Sequence, residues 1–224
     1  MTVAPARRRG LAAEVADNIR EAIFSGAYRP GAQLREVELS ATLEVSRGPV
    51  REALLMLERE GLVRSEWHRG TTVTTLTADD IAELHTLRGA LEQLAVERVV
   101  AGEADLSAIQ EVVQAMARAH TEHDMVRSDI AFHDAVYAAA GHSRLTVAWQ
   151  AIRSQVHLLL VTRIGVDAEH YLAHMPVEHQ ALLDVLRAGD VEAAVSMFAE
   201  HRQHAFDILA ASAQSSGDRN PRLE

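Results

Sequence analysis

The sequence predicts a mainly α-helical protein made of two unlike parts, residues 10–76 and residues 77–213. Apolar residues recur at helical spacing along most of the 224 residues. Two short β-type runs, 62–64 and 72–74, flank Gly70 and form the only predicted strands. Charge also divides the chain into two parts.

The basic residues gather at one end of the chain. There are 22 of them, all arginine, against 32 acidic residues, for a net charge of −10. Residues 1–76 hold 11 arginines and 10 acids, whereas residues 77–224 hold 11 arginines and 22 acids. An acidic second part would repel phosphate, so we expect it to face away from any nucleic acid.

Composition excludes several protein classes. With 48% apolar residues the chain can bury one large core or two modest ones. The absence of cysteine excludes a disulfide framework and a Cys-based zinc finger. No apolar run approaches a membrane span, and Arg7-Arg8-Arg9 is not followed by a signal-peptide core. We expect a cytoplasmic protein without a membrane partner.

The first part begins after a polar arm, residues 1–9, for which we predict disorder. A helix with one apolar face starts at Leu11 and stops at Ser25-Gly26. A short helix, 36–43, and a longer one from Ser46 to about residue 60 follow. Three helices and then the hairpin around Gly70 predict a winged helix-turn-helix over residues 10–76.

The second part is predicted to be an antiparallel bundle of about six helices, with a disordered tail at 214–224. Thr77 is a capping hydroxyl followed by acids in the first turn. Pro176 suits the first position of a helix, and His170 to His174 an extra turn before it. The helices are placed at 78–101, 105–122, 125–140, 143–165, 176–188 and 190–212.

Two arginines begin the third helix of the first part. Arg47 and Arg51 lie one turn apart on the same face, where each guanidinium could read the O6 and N7 acceptors of guanine. Such a helix start is how a helix-turn-helix reads the major groove. The alternative is that they are surface arginines paired with Glu52 and Glu58.

Other residues could contact the DNA backbone or the minor groove. Arg35 precedes the second helix and is placed for phosphate or a second base. Ser46 can cap the third helix, and the N–H groups beside it can meet phosphate. Arg69-Gly70 at the hairpin tip could enter the minor groove.

The first part resembles the winged-helix domain of GntR-family regulators. The resemblance covers about 65 residues and rests on the motifs at 34–36, 46–54 and 57–63. It implies that Arg35, Arg47 and Arg51 contact double-stranded operator DNA, with Gly70 in the wing. Trp67-His68 stands where the family often has a smaller polar residue.

Eleven of the twelve histidines follow residue 77. Asp129 and His133, four residues apart, His179 and His201 each share a helix face with apolar residues and so point inward. A divalent metal would pair them all. The alternative is that each histidine is a core residue bonded to a carbonyl.

These positions resemble the all-helical ligand-binding (FCD) domain of FadR-type GntR regulators, in its smaller VanR-like version. The resemblance spans about residues 78–212 and implies that Asp129, His133, His179 and His201 hold a metal, zinc foremost. Oxygen and nitrogen ligands do not choose among Zn, Ni, Mn and Fe.

Arg88 lies on an apolar helix face, which is unusual for a charge. It could pair with Glu92 one turn on, or clamp the carboxylate of an effector beside the metal. Small organic acids, which the family commonly senses, would suit the second role. Tyr137, His157 and His174 are further candidates for the pocket wall.

Together with these patterns, the family resemblance implies a homodimeric transcriptional repressor that binds a palindromic operator and responds to a small carboxylate effector. One alternative is a regulator for which the metal itself is the effector. A second is a metal that only stiffens the bundle. A third is a metal-dependent hydrolase with a DNA-binding appendage, although no general base is evident beside the ligands.

Overall fold

The computed structural model describes residues 10–68 and 70–217. It forms two compact units, residues 1–75 and 76–224, each with its own buried apolar side chains. Within the described ranges no helix is both long and apolar enough to cross a bilayer. The predicted arm 1–9 and residues 218–224 of the predicted tail lie outside the described residues.

Three helices form most of the first unit. They are α1 (Leu11–Phe24), α2 (Glu36–Thr42) and α3 (Arg47–Arg59), close to the predicted bounds. The apolar face of α1 packs against α3, whose Leu57 is fully buried. Arg20 of α1 donates hydrogen bonds of 2.8 and 2.6 Å to the carboxylate of Glu60, just beyond α3. This pair fixes α1 against the end of α3.

The wing is an antiparallel sheet of β1 (Gln33–Leu34), β2 (Val63–Glu66) and β3 (Gly70–Val73), in the order β1-β3-β2. The predicted hairpin is present as β2 and β3. β1 was missed, because two residues are too few to show an alternating pattern. The winged helix-turn-helix prediction is confirmed.

The second unit consists of α4 (Ala78–Ala101), α5 (Ser107–Met116), α6 (Glu122–Ala139), α7 (Ser143–Ala188) and α8 (Val191–Gly217). The helix start at Thr77 is built as predicted. Its hydroxyl accepts a hydrogen bond from the Asp80 N–H, and the Asp80 carboxylate accepts one from the Thr77 N–H, which completes a capping box.

Helix α7 changes direction at Asp167, whose backbone is non-helical (φ −148°, ψ 54°), so the predicted break is confirmed. The predicted helix start at Pro176 is wrong. The chain is already helical directly after Asp167. Tyr171 and Met175, which come before Pro176, bury their side chains in the core from this part of the helix. Helix α8 also continues to Gly217, past the predicted start of the tail at 214.

The core of the second unit is apolar around a polar centre. Trp149, Phe132 and Phe198 are among its largest fully buried side chains. Ionisable residues from three helices lie within this apolar shell, each less than 10% exposed: Arg88, Glu92, Asp129, His133, His157, Arg163 and His179. Burying so many charges is costly unless they are paired or hold a ligand.

Candidate DNA-binding surface and metal centre

The start of α3 presents two arginines to solvent. The side chains of Arg47 and Arg51 are 59% and 61% exposed. Both bind the carboxylate of Glu36 in α2, Arg51 through Nε at 3.1 Å and Nη2 at 2.9 Å, and Arg47 through Nη2 at 3.1 Å. The predicted partners Glu52 and Glu58 are not the ones that hold them.

Glu36 therefore positions the two arginines side by side. The hydrogen bond from Arg51 is the main reason that the pKa of Glu36 lies below its ordinary value, so the group is a carboxylate at neutral pH. Because the arginines remain largely exposed, they can exchange this carboxylate for DNA acceptors at small cost. Sequence reasoning missed Glu36, which stands 11 and 15 residues before its partners.

Arg35 and Ser46 stand at the starts of α2 and α3. Arg35 is 62% exposed and donates to Glu38 at 2.8 Å. Ser46 occupies the cap position of α3, but its side chain bonds to none of the described backbone N–H groups there. The predicted capping bond is thus wrong, and the Ser46 hydroxyl is exposed at the end of the helix.

The wing tip turns through left-handed backbone at His68 (φ 67°) and Gly70 (φ 78°). Gly70 begins β3 opposite Glu66 and is exposed. Arg69 falls outside the described residues. Trp67 beside the tip is 88% exposed.

Four predicted metal ligands converge in the second unit. Ligand nitrogens of His133, His179 and His201 lie within 4.8 Å of one another. Asp129 Oδ1 is 3.4 Å from His133 Nε2 and 3.4 Å from His179 Nε2. Helices α6, α7 and α8 each supply part of the set, so residues far apart in sequence form one centre.

Two of the histidines are oriented by their outer nitrogens. His179 Nδ1 donates to the Met175 carbonyl at 2.9 Å, and His201 Nδ1 donates to Glu178 Oε2 at 2.9 Å. Nδ1 therefore carries a proton in each ring. Such an outer hydrogen bond is typical of metal-binding histidines, whose tautomer it fixes. Burial lowers the pKa of His201 to about 4, so the ring is neutral.

The donor set fits a divalent metal. Asp129 Oδ1 and His179 Nε2 are both buried, and neither has a hydrogen-bond partner among the residues that the structure describes. Burial alone would raise the pKa of Asp129, but His179 and His133 hold it well below its ordinary value. Tyr171 donates to the other oxygen, Oδ2, at 2.7 Å and leaves Oδ1 facing the histidines.

Arg88 lies against this set and contacts Glu92, one of its two predicted partners, together with His133. Its Nη2 is 2.6 Å from His133 Nε2 and 3.3 Å from Glu92 Oε1. Burial would raise the pKa of Glu92, yet Arg88 and His133 lower it, so Glu92 is charged. Arg202 donates to Glu92 Oε2 at 2.7 Å. An ion bound through His133 Nε2 would require Arg88 to give up its contact with that nitrogen.

The other predicted pocket residues fall in different places. Tyr137 stacks on Trp149, and its buried hydroxyl has no hydrogen-bond partner in the described part of the chain. His157 is buried, and burial lowers its pKa to about 3. His174 is exposed and stacks on His170, so it is not brought to the buried centre.

Sequence reasoning also missed Arg163. This guanidinium is 1% exposed and lies 5.0 Å above the ring of Tyr171. Its Nε and Nη2 have no hydrogen-bond partner among the described residues. A single arginine in an apolar run, between Val161 and Ile164, was the available signal.

A winged helix with exposed arginines, joined to a helical unit, is the arrangement of a DNA-binding transcriptional regulator. Comparison with known families agrees. Residues 11–73 match the model of bacterial regulatory proteins of the gntR family, and residues 83–204 match the FCD domain. The chain belongs to the GntR family and carries an FCD domain.

Individual relatives support the assignment. A probable D-xylose utilization operon transcriptional repressor of Paenarthrobacter nicotinovorans is 31% identical over 94% of this chain and 92% of its own. The gluconate operon transcriptional repressor of Bacillus subtilis is 33% identical over 70% and 67%. A solved GntR-type regulator from Rhodococcus sp. RHA1 is 29% identical, with a TM-score of 0.79 over 89% and 98%. These relatives are transcriptional regulators, not enzymes, which removes the hydrolase alternative.

Proposed function

We propose that this chain is a cytoplasmic, homodimeric repressor whose operator affinity is controlled by a small organic acid bound beside a divalent metal. The observation that carries the proposal is the buried set of Asp129, His133, His179 and His201, in which Asp129 Oδ1 and His179 Nε2 lie 3.4 Å apart without a hydrogen bond. These residues would hold the ion, zinc foremost and nickel or manganese as alternatives. The ion would supply a Lewis-acid position for a carboxylate oxygen.

On the DNA side, Arg47 and Arg51 would read the bases, because both are exposed and Glu36 holds them side by side. Each can bind guanine through two hydrogen bonds in the major groove. Arg35 and the Ser46 end of α3 would contact phosphate, and Arg69-Gly70 would reach the minor groove. A palindromic operator follows from the two-fold symmetry of a dimer.

On the effector side, Arg163 is a stronger candidate for the carboxylate than Arg88. Arg88 already contacts His133 and Glu92, whereas Arg163 is a buried cation with two open donors. A carboxylate that reached it would gain charge-assisted hydrogen bonds. The hydroxyl of Tyr137, which has no hydrogen-bond partner among the described residues, is a separate candidate for a polar contact with an effector.

The relatives suggest which acids to test first. They are named for operons of D-xylose and gluconate, a sugar and a sugar acid. Polyhydroxy carboxylates should therefore head a panel that also contains hydroxy acids and dicarboxylates. Regulation requires that the acid bind the DNA-free and DNA-bound forms with different affinity.

The test uses metal-stripped protein reloaded with zinc, and an operator selected from genomic fragments. Anisotropy of labelled operator is followed as each acid is added. We expect one class of acid to weaken operator binding at least 10-fold. The variant Arg163→Met should keep operator affinity but lose that response. If every acid that binds the protein leaves operator affinity unchanged, the effector proposal fails.

The same assay separates the metal alternatives. A regulator whose effector is the ion would change operator affinity when one metal is added without any acid. A purely structural ion would leave both operator affinity and the acid response intact in Asp129→Ala and His133→Ala, at reduced thermal stability.

A further inference from the structure

A second group of metal-ligating side chains lies outside the buried centre. His170 and Glu178 come from α7 after its break, and His204 comes from α8. One ligand atom from each lies within 4.8 Å of the other two. His170 and Glu178 are partly buried and His204 is exposed, so solvent reaches this group.

The geometry suits a divalent cation with little rearrangement. Ligand atoms of a tetrahedral zinc site lie about 3.3 Å apart, as bond lengths of about 2.0 to 2.1 Å require. An exposed His204 side chain can close the remaining gap by rotation. His170 is held in place by His174, whose ring stacks on it at 3.9 Å between centroids and whose Nδ1 donates to the His170 carbonyl. Solvent would supply the fourth ligand.

The group shares no residue with the buried set, but Glu178 connects the two. One carboxylate oxygen, Oε2, accepts the hydrogen bond from His201 Nδ1, which leaves Oε1 outside that bond. A cavity of about 250 Å³ is lined by Glu178, His201 and His204 and opens to solvent. The cavity is large enough for a hydrated ion to reach the group.

We infer that His170, Glu178 and His204 form a second, solvent-accessible site for a divalent cation such as zinc or nickel. Two imidazoles and one carboxylate make a nitrogen and oxygen set of the kind these ions favour. With three protein ligands and open access, this site binds more weakly and exchanges faster than the enclosed four-ligand centre. The inference stands independently of the metal proposed for Asp129 and its histidines.

The test measures zinc bound per full-length chain by equilibrium dialysis and elemental analysis. Wild type should bind two equivalents, one tight and one weak. His204→Ala should lose the weak equivalent, with its Kd raised at least 10-fold, and keep the tight one. His120→Ala is the matched control, because this histidine of the same unit is also exposed and should change neither.

A third variant, Asp129→Asn with His179→Gln, separates this site from the buried one. It should lose the tight equivalent and keep the weak equivalent that His204→Ala removes. The second site is overturned if the weak zinc equivalent persists unchanged in His204→Ala. It is also overturned if wild type binds a single zinc equivalent and His204→Ala does not affect that binding. Loss of both equivalents in His204→Ala would also overturn it, since the two sites would then be one.

Discussion

Replacing Asp129 with asparagine should remove most of the stabilisation that a metal gives to the second unit. Asp129 Oδ1 lies between His133 Nε2 and His179 Nε2, 3.4 Å from each. Asparagine has nearly the same shape and keeps an oxygen for the hydroxyl of Tyr171, which donates at 2.7 Å. The substitution removes the negative charge and leaves the packing almost unchanged.

The magnitude follows from binding linkage. Zinc at 100 times its Kd stabilises the folded state by about 2.7 kcal/mol. In a unit of this size each kcal/mol shifts Tm by about 2 to 4 °C, so wild type should gain about 5 to 10 °C. If loss of the carboxylate weakens binding about 100-fold, the same zinc concentration gives only about 0.4 kcal/mol. The Tm shift then falls to about 1 °C.

The assay is calorimetric or fluorescence-detected melting of chelator-treated protein with and without zinc. Asp134→Asn is the matched control, because it removes a carboxylate from the same helix. Asp134 binds Arg153 and Trp149 and takes no part in the cluster. Its variant should melt lower but keep the full shift with zinc. A wild-type shift that survives intact in Asp129→Asn would refute the assignment of Asp129 as a ligand.

Three further predictions concern the DNA-binding surface and the helix start at Thr77. Arg51→Ala should weaken operator binding about 5- to 150-fold, the value of one base contact, whereas Arg59→Ala at the far end of α3 should change it far less in the same titration. Glu36→Gln should raise affinity for random-sequence DNA by up to about 5-fold, because a negative charge beside Arg47 and Arg51 is removed, and should lower the preference for operator, because the two arginines lose the carboxylate that positions them; unchanged random-sequence binding would contradict this. Thr77→Ala should cost the second unit about 1 kcal/mol in denaturant unfolding, because the capping box with Asp80 is lost.

The spacing of apolar residues and the residues that start or stop helices were enough to predict the architecture. Local residue patterns indicate the apolar faces of α1 and α3, the cap at Thr77 and the break at Asp167. The predicted helix bounds were wrong where a local sequence signal conflicts with the burial of neighbouring side chains. Pro176 resembles a helix start, yet Tyr171 and Met175 pack inward before it and keep the preceding turn helical.

The candidate metal ligands could be chosen from the sequence because each stands on an apolar helix face. The residues that hydrogen-bond to these ligands could not be predicted from the sequence. Tyr171 and Glu178 orient ligands through contacts spanning 42 and 23 residues, and no spacing rule connects such positions. Arg163 was equally hidden, because a buried arginine shows its open donors only once the surrounding helices are packed.

The break in α7 also determines where the chain tolerates changes of length. A residue inserted among 170–179 would rotate everything beyond it by about 100°, which would turn His179 away from Asp129. At Asp167 the backbone already departs from the helix, so an extra residue there can be absorbed in the bend. Among homologous chains, insertions and deletions should therefore gather at this one position of α7, while the stretch that follows keeps a constant length.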